Sequence, residues 1–264
     1  MNSTVAAELD LNPSRNRRQT FRYAHLAGKS ISACIPLLLA GRPRTPLRLL
    51  CIGAFDYLAR VQGKDLRNID RLALAYACDF GALRNDFYDQ GELDRTDYRE
   101  IRHSLRRLAP ECATRRYIHA LRDAERGRPA IGIDCYVGSA AVAQYRTQVL
   151  FISLTWLEVI SSSPLPPHFF KVLVSLAGLA QLVDDLLDCK DDWECRRPTF
   201  VTAFFRERVQ LSGEAITHIH SYANRFRNLL VATSERHREV APLALAGEGM
   251  WLLALALLKL RFRR

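Results

Sequence analysis

Two groups of aspartates carry most of the chemistry this chain could do. The richer one lies in GLAQLVDDLLDCKDDW, residues 178–193. At 100° per residue from Asp184, Asp188 falls at about 40°, Asp191 at about −20°, Asp192 at about 80° and Asp185 at about 100°. Five carboxylates therefore share roughly a third of one helix circumference. The run Val172 to Ala180 ahead of them is nearly all apolar, which points to a buried helix. Like charges on one helix face repel. Burying them is costly unless a cation compensates. A divalent metal suits carboxylate oxygen. The alternative is a solvated acidic helix end paired with Lys190, Arg196 and Arg197.

The second group lies in YACDFGALRNDFYDQGELD, residues 76–94. Relative to Asp79, Asp86 falls at about −20° and Asp89 at about −80°. Alone, this is as readily an acidic helix end as a site. Together, two acidic faces on two apolar helices can hold Mg²⁺ between them, because Mg²⁺ takes one or two carboxylates plus phosphate oxygens from a substrate. Metal so placed neutralises the charge that grows on a departing diphosphate. A carbocation left behind needs apolar and aromatic walls that exclude water. Phe80, Phe87, Tyr88 and Phe151 are candidate wall residues, and plain core packing accounts for each equally well.

These segments resemble the class I isoprenoid synthases. QLVDDLLD (181–188) looks like the second aspartate-rich motif of trans-prenyl diphosphate synthases. The spacing of Asp184, Asp188 and Asp192 resembles squalene/phytoene synthases and bacterial large-terpene synthases. CDFGALRNDFYDQGELDRTDYREIRHSL (78–105) is similar to the first aspartate-rich region of the large-terpene group. The resemblance implies an all-α isoprenoid synthase-like bundle around a central cavity, Mg²⁺ dependence and a prenyl diphosphate substrate. It implies one metal face of Asp79, Asp86 and Asp89 and another of Asp184, Asp188 and Asp192. It also implies that Arg146, beside Tyr145 on the preceding apolar helix, reaches the diphosphate; a bidentate Arg suits phosphate. Arg196, Arg197 and Arg225 are further candidates for binding substrate. The first motif lacks the D-D-x-x-D spacing of chain-elongating enzymes. The second lacks the N-D-x-x-S-x-x-x-E pattern of ordinary terpene cyclases. The expected activity is a terpene-synthase-like lyase acting on one prenyl diphosphate. The alternatives are a prenyl transferase, head-to-head or head-to-tail, and a non-catalytic helical protein that binds membrane or partner helices.

The elements that must position these residues read as helices throughout. No segment alternates with period two between hairpin turns, and the Pro- and Gly-containing breaks are widely spaced. Helices are expected near 19–40, 45–62, 66–90, 95–108, 112–125, 136–160, 168–193, 199–236 and 240–262. Pro36 should kink or end the first, and Gly213 should divide the eighth. No composition shift marks a boundary, so residues 19–264 read as one domain after a flexible segment, 1–18. His218 and His220, at i and i+2, point to different faces and make poor joint metal ligands.

Charge and cysteine usage limit the rest. The net charge is +10, but it is dispersed along the chain, which disfavours nucleic acid. Seven cysteines, at 34, 51, 78, 112, 135, 189 and 195, form no C-x-x-C and read as a reducing, cytoplasmic setting. The polar start, Met1 to Arg18, has no apolar core of a secretory signal. Met250 to Leu260 is almost wholly apolar and is followed by arginines. A core helix with a basic end is the favoured reading there, and peripheral contact with anionic lipid is the other. A homodimer stays open.

Overall fold

The computed structural model describes residues 13–43, 47–91, 93–132, 138–207 and 209–262. Among them there is no strand, and the chain is all-α. The helices are α1 (Pro13–Leu39), α2 (Leu47–Val61), α3 (Asn68–Gln90), α4 (Arg95–Leu108), α5 (Glu111–Arg126), α6 (Ser139–Ser161), α7 (Pro167–Leu187), α8 (Cys189–Glu194), α9 (Gly213–Arg236) and α10 (Ala241–Phe262). Local chemistry sets several starts. Asp94 caps α4 by accepting from the N–H groups of Thr96 and Asp97, at 2.9 and 3.0 Å. Ser212 caps α9 through Ala215 N–H at 3.1 Å. Pro167 opens α7, where its missing N–H costs nothing. Gly91 ends α3 at φ 72°, a conformation that glycine adopts without strain.

Four helices close a ring: α2 packs on α3, α3 on α6, α6 on α7 and α7 on α2. α1 lies against α2, α3 and α10, while α9 and α10 cover the other side of α7. α4 backs α3 and α5 backs α6. α7 is the central element, with Val172, Leu173, Leu176, Leu179, Leu182 and Leu186 all buried. It meets α9 closely. A Cβ on Gly178 would lie 2.6 Å from the Phe226 ring, so only glycine fits that approach.

Pro36 lies within the last turn of α1, which ends at Leu39; the carbonyl of Pro36 accepts from Ala40 N–H at 3.0 Å. Boundaries differ from the sequence reading in three places. The expected helix 168–193 breaks at Asp188 into α7 and α8. The expected helix 199–236 is a short 3-10 turn, Thr202–Phe204, then a loop, then α9; Gly213 is the first residue of α9. α1 begins at Pro13, inside the segment read as flexible, and residues 1–12 lie outside the described residues.

The C-terminal helix fits the core reading only in part: 22% of its most apolar window is buried, and Arg238–Phe262 is long and apolar enough by length and composition to cross a membrane. Leu243, Gly247, Ala254 and Leu258 form one narrow buried stripe. Leu245, Leu252, Leu253 and Leu260 face outward. The described cysteines, at 34, 51, 78, 112, 189 and 195, are free thiols, and Cys135 lies outside the described residues.

Candidate active site

The helical ring encloses a cavity of about 860 Å³. Its lining changes character along each wall helix. On α7 it runs from Leu173, Leu176, Ala177 and Ala180 to Gln181, Asp184 and Asp185. On α3 it runs from Ala77, Cys78, Gly81 and Ala82 to Asn85, Asp86 and Asp89. On α6 the order reverses: Tyr145 and Arg146 come first, then Val149, Leu150, Leu154 and Leu157. The carboxylates thus gather where α3 and α7 end and α6 begins, and the apolar floor lies at the opposite end. At 1.5 Å per residue, the apolar part of α7 from Leu173 to Asp184 is roughly 16 Å deep.

Both aspartate groups reach this polar end. Asp86 and Asp89 line it from α3, Asp184 and Asp185 from α7, Asp188 from the break, and Asp192 from α8. The break at Asp188 leaves the register intact, because the Asp192 N–H still donates to the Asp188 carbonyl at 2.9 Å. Arg197 joins the two groups: its guanidinium lies 3.7 Å from Asp89 and 3.2 Å from Asp192. Arg128 pairs with Asp89 at 2.6 Å and with Glu125 at 3.5 Å. Tyr145 donates to the same Glu125 at 2.7 Å. Six lining carboxylates face four lining guanidinium groups, those of Arg48, Arg128, Arg146 and Arg197, which leaves an excess of negative charge.

Adjacent aspartates on α7 have different surroundings. Asp185 is buried and accepts from Arg146 at 2.8 Å, from Gln181 at 3.0 Å and from the Phe200 N–H at 2.9 Å. Burial raises its carboxyl above the ordinary range, and Arg146 opposes the rise. Burial would lower the Arg146 guanidinium, but Asp185 and its other anionic neighbours outweigh that. Burial also raises Asp184, with Asp185 and Asp188 adding to it. Asp192 is raised to about 7, first by burial and then by Asp185. Asp86 is raised by partial burial and by Asp89, against Arg48.

Not every residue expected here is present. Asp79 is not part of the cavity lining; its buried carboxylate meets Arg42 at 3.0 Å and Arg48 at 3.7 Å, fastening the chain before α2 and α2 itself to α3. Phe80 is core, with ring centroids 5.5 Å from Tyr98 and 5.9 Å from Trp156. Phe87 is exposed and packs against Tyr88 and Arg84. Phe151 is exposed too, against Phe170. Tyr88, Arg196 and Arg225 also lie outside the lining. The aromatic wall is made instead by Tyr57, Tyr117, Tyr145 and Trp156, with Tyr117 and Trp156 stacked at 4.0 Å. Arg48 and Arg128 join the polar end, and no motif in the sequence marked them.

No protein-family model, no curated protein and no solved structure matches this chain.

The raised carboxyls set a pH dependence. A folded chain whose carboxyls titrate high holds more protons than the unfolded chain, between the ordinary carboxyl range near 4 and about 7 for Asp192. This contribution to stability is full below the lower limit and is lost as pH rises through the upper one. In EDTA-stripped protein, raising the pH from about 5 to about 8 should therefore lower the melting temperature more in the parent than in Asp192→Asn. Calorimetric scans at both pH values check this, and identical slopes would refute the assignment.

Proposed function

We propose that the chain is a Mg²⁺-dependent, terpene-synthase-like enzyme that ionises one prenyl diphosphate and releases diphosphate, giving a terpene hydrocarbon or alcohol. One observation carries the reading: Arg197 spans Asp89 and Asp192, so the two acidic groups converge at the mouth of a deep apolar cavity. The donor set fits a hard divalent cation, with carboxylates in excess over guanidinium groups and several held above their ordinary protonation range. Asp86, Asp89, Asp184, Asp188 and Asp192 are the residues that would hold it. When bound, Mg²⁺ supplies charge neutralisation for the leaving diphosphate.

The protein's own groups do the rest. Arg146 spends one N–H on Asp185, which fixes its guanidinium at the polar end and leaves other donors for phosphate oxygen. Arg48, Arg128 and Arg197 face the same space. Tyr117 and Trp156, stacked on each other, line the space where a developing cation would be shielded from water. A volume of about 860 Å³ lies near the top of the range for small-molecule sites and suits a long chain. A single prenyl diphosphate of C10 to C30, supplied alone with Mg²⁺, should give products of unchanged carbon number by mass spectrometry. Doubled carbon number, or turnover only with isopentenyl diphosphate, would instead identify a prenyl transferase.

The outer surface suits a lipid-borne substrate. Ile31, Ile35 and Leu38 of α1 are exposed and also line the cavity, and α10, which packs against α1, turns Leu245, Leu252, Leu253 and Leu260 outward. An exposed apolar face of this kind favours peripheral membrane contact. Flotation with phosphatidylglycerol-containing vesicles should retain the parent and lose Leu252→Glu/Leu260→Glu. Equal flotation of both would exclude this face.

A further inference from the structure

A separate constellation lies at the junction of α7 with the α9–α10 connection. His168 stands in the first turn of α7, His237 follows the end of α9, and Glu239 sits in the short 3-10 turn Arg238–Val240. The two imidazoles stack at 3.9 Å between centroids, 12° from parallel. His168 Nε2 lies 3.8 Å and His237 Nδ1 3.6 Å from the same oxygen of Glu239. Neither separation is a hydrogen bond. One ligand atom from each of the three residues lies within 4.8 Å of the others, and all three side chains are half-buried. None of the three lines the cavity.

We propose that His168, His237 and Glu239 form a Zn²⁺ site with a fourth position open to water. Two imidazoles and a carboxylate are a zinc donor set. Bonds of about 2.0–2.1 Å in a tetrahedron place neighbouring ligand atoms about 3.4 Å apart. The Glu239 separations of 3.6 and 3.8 Å need to close by a few tenths of an ångström. The stacked rings must also swing apart, because the in-plane lone pairs of two imidazoles on one tetrahedral ion converge with their centroids about 5 Å apart rather than stacked at 3.9 Å. Burial, with His237 nearby, lowers the His168 pKa and favours the neutral ring that metal requires. The ion ties the start of α7 to the connection that leads into α10. Tyr57 extends that tie to the cavity wall, because its hydroxyl donates to the Glu239 backbone carbonyl and Tyr57 itself lines the cavity. The site is a clasp, distinct from the carboxylates proposed to bind Mg²⁺, and it stands whether or not that reading does.

The test uses full-length, tag-free protein stripped with EDTA, with Co²⁺ as a spectroscopic stand-in for Zn²⁺. Addition of Co²⁺ should give visible ligand-field bands of tetrahedral strength, which Zn²⁺ then bleaches. Saturating Zn²⁺ should raise the melting temperature by several degrees, because metal that binds only the folded state stabilises it. His168→Asn, His237→Asn and Glu239→Gln should each lose the bands and most of the shift. Asp184→Asn/Asp188→Asn should keep both. Absence of bands and shift in the parent would overturn the proposal. So would their persistence in His168→Asn/His237→Asn, or their loss only in the aspartate variant.

Discussion

Asp184→Asn and Asp188→Asn are each expected to lower prenyl diphosphate turnover by roughly a hundredfold or more, the scale on which loss of one charge-stabilising group slows such reactions. Folding should survive. Asp184 is raised by burial, by Asp185 and by Asp188, so its charged form is held against electrostatic cost in the metal-free protein. Neutral Asn relieves that cost, and the melting temperature in EDTA should be unchanged or higher. Asp191 is the control. It belongs to the same run of aspartates but is exposed and lies outside the cavity lining, so Asp191→Asn should retain full activity. Steady-state kinetics with Mg²⁺ titration checks all three. Full turnover in both Asp184→Asn and Asp188→Asn would refute their roles.

Asp185→Ala should act in the opposite way, on stability first. It removes the acceptor of Arg146, Gln181 and the Phe200 N–H together. Arg146 is then left as a buried cation without its partner, a change that costs about 3–5 kcal/mol. For a chain of this size the melting temperature should fall by roughly 10 °C. Asp185→Asn keeps an oxygen for the Phe200 N–H and should fall less. The double variant Arg146→Met/Asp185→Leu removes both charges and should melt above Asp185→Ala, because the two sites are coupled. Calorimetry on the four proteins decides the matter. A loss of only one or two degrees in Asp185→Ala would mean that Arg146 finds another anion, with Asp192 and Asp89 the available ones.

This contrast between neighbours shows where the sequence stops being informative. Helical periodicity put Asp184, Asp188 and Asp192 on one face, and the structure places all three in one lining. The same wheel put Asp185 at the rim of that sector, and nothing local distinguished it from Asp184. The chain after α8 does so, by returning the Phe200 N–H to the Asp185 carboxylate. Asp79 is a similar case. It shares a helix with Asp86, but Arg42 and Arg48, on the chain before α2 and on α2, claim it in the folded state. A helix face is a local property, fixed by 100° per residue, whereas the partner of a buried charge depends on which segment packs there.

Local patterns along the chain specify the all-helical class, most helix boundaries and the two acidic ends of α3 and α7, because side-chain periodicity, Pro and Gly breaks and charge spacing all act within a few turns of chain. Tertiary structure alone decided the convergence of Asp89 and Asp192 on Arg197, the choice of Tyr117 and Trp156 over Phe80 and Phe87 as cavity wall, and the exposure of α10. It also decided the meeting of His168 with His237 and Glu239 across a long stretch of chain. These are contacts between segments remote in sequence, and no local pattern encodes a distance that only packing sets.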